Sequence, residues 1–411
     1  MGRNIESSSS QFFTVLARPQ TAFLFAFITY FVLSCLGGNP FRVREAAYFN
    51  YLADAFLHGQ LYLRAVPLKI QDLSFFNGHY YLYWPPMPAV FLMPFVAIFG
   101  VNFSDVFFNI VIASANIAVM AALLRAADRA GLIRIDPEYR GMLLLFFALG
   151  TALVTISIVG EVWYTAQLIG ILLVGLAYLS AIELKGLASF VVTGLLMACA
   201  MVTRNHLLFT GIWPAYHLLS RNWNDRPKLF LYASAGLFPA LVLGLLFLGY
   251  NDARFGDPLE VGLRYHNMAP VFLMDYKKYG AFDFHYVPIN LYYQYLHYPF
   301  PFDINTSKGS SLFLLSPVFF YAFVGAYRRY RDPNIWFWLL TILATSIPIL
   351  LLMGTGWVQY GPRYTLDFVV PLMLLTASGV QWASRKIFIW LIVLSILQYI
   401  PGIYIYIVAG L

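Results

Sequence analysis

Residues 72–100 read DLSFFNGHYYLYWPPMPAVFLMPFVAIFG, and how their second half is read decides the fold. Pro85 and Pro86 are followed by fourteen almost wholly apolar residues, Met87 to Gly100, interrupted by Pro88 and Pro94. A membrane-spanning helix needs roughly twenty such residues, and a proline inside a helix removes a backbone hydrogen bond and kinks the chain. The segment is therefore predicted to lie in, or re-enter, the membrane interface on one face rather than to cross.

The flanking sequence supports that reading. Hydrophobic residues make up 60% of the 411 and charged residues 11%, which excludes a water-soluble surface and predicts one polytopic transmembrane domain over 1–411. Eleven spans are read, at 20–37, 104–125, 141–159, 162–183, 187–203, 206–220, 228–248, 311–327, 335–353, 364–383 and 387–409. The expected fold class is thus an all-α polytopic membrane protein, with about 11 transmembrane helices plus juxtamembrane helices in the first outer loop. The opening MGRNIESSSSQFFTVLARPQ has no cleavable signal pattern and reads as a short cytosolic lead-in. The even-numbered connections are then RAADRAGLIRIDPEYR, ELKG, SRNWNDRPK, YRRYRDPN and SRK, and every one carries Lys or Arg, as cytosolic loops should. Counting 87–100 as a span would turn all of them outward. The net charge of +7 alone would suit a nucleic-acid partner, but in a membrane protein the distribution of Lys and Arg between loops matters more than the total, and no nucleic-acid partner is expected. Cys35 and Cys199 both fall in apolar runs, so neither a disulfide framework nor a cysteine metal site is expected.

The remaining polar chemistry sorts to the other side: the loop 38–103, turns near Gly160 and Arg204, the loop 249–310 and the turn 354–363. In REAAYFNYLADAFLHG the apolar residues Ala47, Tyr51, Ala55 and Phe56 recur at helical spacing, which predicts an amphipathic helix lying on the membrane. The loop 249–310 is rich in Tyr, Phe and His. No internal repeat, low-complexity linker or separate soluble domain is visible.

Three acids stand in the first outer loop: Glu45, Asp54 and Asp72. A carboxylate there can act as general base toward a hydroxyl acceptor, although a wet loop contains acids in any case. Asp54 is explained by the solvated face of its helix. Asp72 precedes the aromatics and the Pro-Pro pair, and Glu45 lies within ten residues of the first span. In GEVWYTAQ (160–167), Trp163 and Tyr164 read as interfacial anchors, whereas Glu161 and Gln167 are costly at membrane depth unless paired or used. VTRNH (202–206) puts Arg204 and His206 in a short outer turn, where Arg204 either snorkels to headgroups or faces a lipid phosphate. The most specific stretch is GTGWVQYGPRYTLDFVVP (354–371). Gly354, Gly356, Gly361 and Pro362 predict a tight turn beside Gln359, and Arg363 opens the next span with Asp367 four residues on. Arg363 is either half of a structural i,i+4 pair or a guanidinium suited to hold a phosphate by paired hydrogen bonds. The sequence has no P-loop, GxSxG, HExxH or Asp-x-Asp. His58, His79, His206, His266, His285 and His297 share no i,i+3 or i,i+4 spacing, so no histidine metal site is read.

Taken in order, DLSFFNGHYYLYWPPMPAVFLMPF, VWYTAQL, ARFGDPLEVGLRY and GWVQYGPRYTLDFVVP resemble the GT-C fold glycosyltransferases, which include protein O-mannosyltransferases and the aminoarabinose transferase acting on lipid A. The resemblance covers most of the chain and implies transfer of a sugar from a polyprenyl-phosphate donor to a lipid, glycan or protein acceptor. It places the activity at the extracytoplasmic face of a bacterial plasma membrane. It implies that Met87–Gly100 helps roof the active-site cavity, that Glu45 or Asp72 deprotonates the acceptor, and that Arg363 faces the phosphate. Arg204, Glu161, Gln359 and Tyr83 complete the expected substrate and lipid-phosphate residues. No cofactor follows with certainty; some relatives use a divalent metal and others do not. The chain departs from the pattern in three ways. Glu45 stands alone where many relatives have an acid pair, Tyr83 and Trp84 replace an acid or lysine before the proline, and no soluble acceptor domain follows the last span. These departures leave a second expectation standing: a non-catalytic GT-C-like subunit of a larger membrane complex. A transporter ranks behind both, because the polar residues gather on the outer side rather than through the membrane centre.

Overall fold

The computed structural model describes residues 10–302, 308–354 and 359–408. Gly356, the end of the last expected span at 409, and part of the turn 354–363 lie outside them. Among the described residues, six helices are long and apolar enough to cross a membrane: Pro19–Leu36, Asp105–Arg129, Val162–Glu183, Arg226–Phe255, Pro333–Leu351 and Arg385–Ile407. Gly186–Met201 is apolar but shorter. Other expected spans are interrupted. The stretch 141–159 becomes Pro137–Leu149 and Leu153–Ser157, separated around Gly150. The stretch 364–383 begins as a 3-10 turn, Arg363–Phe368, before the α-helix Val369–Val380. Irregular backbone is tolerated at membrane depth only where protein covers it, and residues 151–160 are all buried.

Met87–Phe99 forms a 13-residue helix with Pro94 inside it. At 1.5 Å per residue it reaches roughly 20 Å, short of the ~30 Å hydrocarbon core. It packs against the helix Tyr48–Leu57. The expected amphipathic helix is formed, and its apolar face is turned into the protein. Tyr48, Phe49, Asn50, Leu52, Ala53 and Ala55 are buried in protein, and the Asn50 amide donates to the carbonyls of Val101 (2.9 Å) and Phe103 (2.7 Å). Asp54, on its outer face, pairs with Arg64 at 3.1 Å. Between these helices the chain makes a two-stranded hairpin, Ser74–Phe76 with His79–Tyr81. Asn77 and Gly78 form its turn with φ of 48° and 80°, the left-handed pair that an Asn-Gly hairpin turn needs.

The connections segregate into two sets. Arg129 pairs with Glu183 at 2.7 Å and Arg385 with Glu138 at 2.7 Å. Arg221 donates to the carbonyl of Ala181 (2.8 Å) and Arg329 to that of Leu132 (2.7 Å). All the connections expected on the cytosolic side are therefore tied to one another, and the loops of the other set are left to build the cavity.

Small residues set one close helix crossing. Helices Phe320–Arg328 and Val369–Val380 pack together, and a Cβ on Gly379 would lie 2.0 Å from the Tyr321 carbonyl oxygen. Gly379→Ala is expected to force the pair apart and cost about 1–3 kcal/mol, read as a lower thermal midpoint in detergent.

Candidate active site

A cavity of about 1100 Å³ opens between the two long loops and the turns. Glu45, Asp72, Tyr83, Glu161, Arg204 and Arg363 all line it. Five separate stretches of sequence thus bring the expected side chains together. Gln359 is not among the lining residues; it is buried and joined by a backbone bridge to Lys308. Tyr83, Trp84 and Pro85 line the cavity, but no residue of the helix Met87–Phe99 does, so the lead-in to the helix rather than the helix supplies the wall.

Of the two cavity arginines, Arg204 is bonded to Asp367 and Arg363 is held through Gln167. Asp367 Oδ2 accepts from Arg204 Nη2 at 2.8 Å and contacts His206 Nε2 at 2.7 Å. Gln167 Nε2 donates to Asp367 Oδ1 at 3.0 Å and to the Arg363 carbonyl at 2.7 Å, which fixes the turn carrying Arg363. The i,i+4 pair between Arg363 and Asp367 is not made. The backbone there is a 3-10 turn, in which i and i+3 rather than i+4 share a face, and Asp367 is taken by Arg204 and His206. The Arg363 guanidinium sits over the rings of Tyr364 (4.6 Å) and Tyr164 (5.7 Å). Its Nε and Nη1 have no hydrogen-bond partner among the described residues, although the residue is only 6% exposed. Desolvating such a cation without an acceptor is costly, so an anion in the cavity is the natural complement. Asp367→Ala would leave Arg204 charged and uncompensated. Breaking a buried pair in this way costs about 3–5 kcal/mol, and the variant is expected to show that loss in thermal stability.

The acids line the same cavity. Asp72 has a φ of 65° and is held on both oxygens: Trp163 Nε1 donates to Oδ2 at 3.1 Å, and His266 Nε2 lies 3.1 Å from Oδ1. The backbones of Asp72 and Asn267 also bond, at 2.9 Å, so the two long loops meet here. Glu161 accepts from Arg44 at 3.1 Å; as a carboxylate it orients that cation rather than a phosphate. Glu45 is exposed at the cavity wall and makes no ion pair or hydrogen bond with the described residues. Tyr83 stacks on Trp84 at 3.8 Å and meets His266 edge-on at 4.6 Å. Burial, with the Asp72 charge adding to it, pushes its phenol well above the usual value, so it is a hydrogen-bond donor at any physiological pH.

His206, His266, Trp163 and Gln167 join the site's framework through these bonds. The sequence marks Gln167 as a polar group that must be paired or used, places His206 in the outer turn beside Arg204 and reads Trp163 as an anchor, but nothing local to GLRYHNM marks His266. Among the described residues, no three His, Cys, Asp or Glu side chains converge on a metal-sized point. Asp72 and Glu161 are already engaged by other partners. Among the described residues, the donor set for a divalent cation is therefore not assembled.

No known protein-family model matches the chain, and neither does any curated protein sequence. Solved structures do. ArnT from Cupriavidus metallidurans, bound to undecaprenyl phosphate, superposes with a TM-score of 0.52 at 13% identity, covering 95% of this chain and 66% of ArnT. The same protein in its apo state gives 0.51 at 13% identity with the same coverage. The fold is GT-C. The GT-C resemblance read from the four motifs is thus matched in three dimensions, in a multi-pass membrane protein that spans about two thirds of ArnT.

Proposed function

We propose that this chain is a membrane glycosyltransferase that moves a sugar from a polyprenyl-phosphate donor to a hydroxyl acceptor. The observation that carries the proposal is Arg363: a buried guanidinium whose Nε and Nη1 have no partner among the described residues, lining the same cavity as the carboxylate of Glu45, which is likewise unpaired among them. The GT-C fold, and ArnT's complex with undecaprenyl phosphate, support a lipid phosphate as the anion.

In the proposed reaction the acceptor oxygen forms a bond to the anomeric carbon while the carbon–oxygen bond to the phosphate breaks. The electron pair leaves with the phosphate, where Arg363 and Arg204 stabilise the growing charge. The acceptor proton goes to Glu45, which is free to receive it; Asp72, oriented by His266 and Trp163, aligns the hydroxyl or takes the same role. Tyr83 donates a hydrogen bond. Phosphate is a good leaving group once neutralised by cations, so no second acid is required on the donor side. The segregation of basic loops away from the cavity supports an extracytoplasmic active site in a bacterial plasma membrane.

The test is to supply the purified protein in nanodiscs with undecaprenyl-phosphate sugars and envelope glycolipid or protein acceptors. Acceptor-dependent release of undecaprenyl phosphate is expected. Donor binding without turnover across the panel would favour the non-catalytic reading instead.

A further inference from the structure

Asp105 opens the helix Asp105–Arg129, is 2% exposed, and does not line the cavity. Both its oxygens are nevertheless spent on the two segments that do. Oδ1 accepts the backbone N–H of Arg44 at 3.0 Å, and Oδ2 accepts that of Glu161 at 2.6 Å. One residue earlier, Ser104 caps the helix by accepting from the Phe107 N–H and donates to the Arg42 carbonyl at 2.7 Å. The Val162 N–H completes the arrangement by donating to Ala46 at 3.0 Å. The first outer loop is thus fastened at Arg42, Arg44 and Ala46, and Glu45 sits between two fastened neighbours.

The turn being held is strained. Glu161 has φ 93° and ψ 151°, a region that is essentially glycine's and that another residue keeps only when its surroundings enforce it. Gly160 before it approaches so closely that a Cβ would lie 2.1 Å from Asp105 Oδ2. Asp105 is the enforcing group, and the product of the strain is the Arg44–Glu161 pair at the cavity wall.

We infer that Asp105 is a positioning residue: by clamping the amides of Arg44 and Glu161 it sets their ion pair and aims Glu45 into the cavity. The arginines are held by other bonds: Arg204 by Asp367, and the turn carrying Arg363 by Gln167, about two turns along the helix that Glu161 opens. Loosening the clamp at the helix entry should therefore disturb Arg44, Glu45 and Glu161 more than the arginines. This inference rests on the glycosyltransferase reading, with Glu45 in the reaction.

Asp105→Asn nearly preserves shape but offers one acceptor oxygen where two are used, so one of the two amides faces an NH₂ donor. Turnover per folded molecule is expected to fall on the order of tenfold, since small misplacement of reacting groups is costly. The KM for the undecaprenyl-phosphate sugar and the binding of undecaprenyl phosphate itself should be unchanged. Hydrogen exchange at the Arg44 and Glu161 amides should quicken. A merely structural role predicts a lower thermal midpoint with kcat intact, and that result overturns the inference, as does an equal loss of donor binding. Should the variant not fold, wild-type exchange decides: protection of both amides beyond their outer-loop neighbours is expected, and rapid exchange at either overturns the clamp. Absence of transfer by wild-type protein with both amides protected would sink the glycosyltransferase reading and the catalytic role of the clamp together. Transfer with both amides unprotected would sink the clamp alone.

Discussion

Replacing Glu45 with Gln is expected to lower kcat by roughly 10²- to 10⁴-fold, the usual contribution of a general base, while undecaprenyl phosphate binds as before. The substitution keeps the side chain's size and removes only its ability to take a proton. Because Glu45 has no ion pair or hydrogen bond to lose among the described residues, the folded protein should be undisturbed, and its thermal midpoint should match wild type. Asp72→Asn differs in kind. It disturbs contacts with His266 and Trp163, so a loss of turnover there is expected together with some loss of stability. Full turnover in both variants would remove the acids of the first loop from the mechanism.

Arg363→Ala should be comparably severe and for a separate reason. Removing a preorganised cation from the site of charge development costs on the order of 10²- to 10³-fold in kcat. Ground-state binding of undecaprenyl phosphate should weaken as well. A hydrogen bond to a charged group contributes about 1.5–3 kcal/mol, which corresponds to roughly ten- to a hundredfold in Kd. No carboxylate partner is stranded by this change, unlike Asp367→Ala, so the loss should appear in function and not in folding. Arg363→Lys retains the charge but not the planar fork and should recover only part of the binding. Measuring Kd and kcat for the three side chains at this position separates charge from geometry.

Much of this site was legible in the sequence, because membrane proteins restrict where charge can stand. The basic residues of alternate connections, together with the short proline-broken segment 87–100, were enough to sort the loops into two sets. Once the loops were sorted, Glu45, Asp72, Glu161, Arg204 and Arg363 fell on one side. Their partners were not legible, since they join distant segments: His266 reaches Asp72 across 194 residues and Arg204 reaches Asp367 across 163. Local spacing left two points open. Arg363 and Asp367 are four apart, which allowed either a structural pair or a free guanidinium, and the 3-10 turn leaves the pair unmade. In Tyr48–Leu57 the helical spacing of apolar residues showed one apolar face but not what covers it; packing against Met87–Phe99 buries Tyr48, Leu52 and Ala55. The Asn-Gly hairpin at 77–78 did carry a local signal, obscured by the surrounding aromatics.

The central claim is that a polyprenyl phosphate occupies this cavity with its phosphate on Arg363. Native mass spectrometry of the gently purified protein, wild type beside Arg363→Ala, tests it most directly. The account predicts a co-purifying polyprenyl phosphate, or its sugar conjugate, on the wild type and its loss from the variant, with ordinary phospholipids equal on both. Phospholipid alone on the wild type, or a polyprenyl phosphate retained equally by the variant, would contradict it.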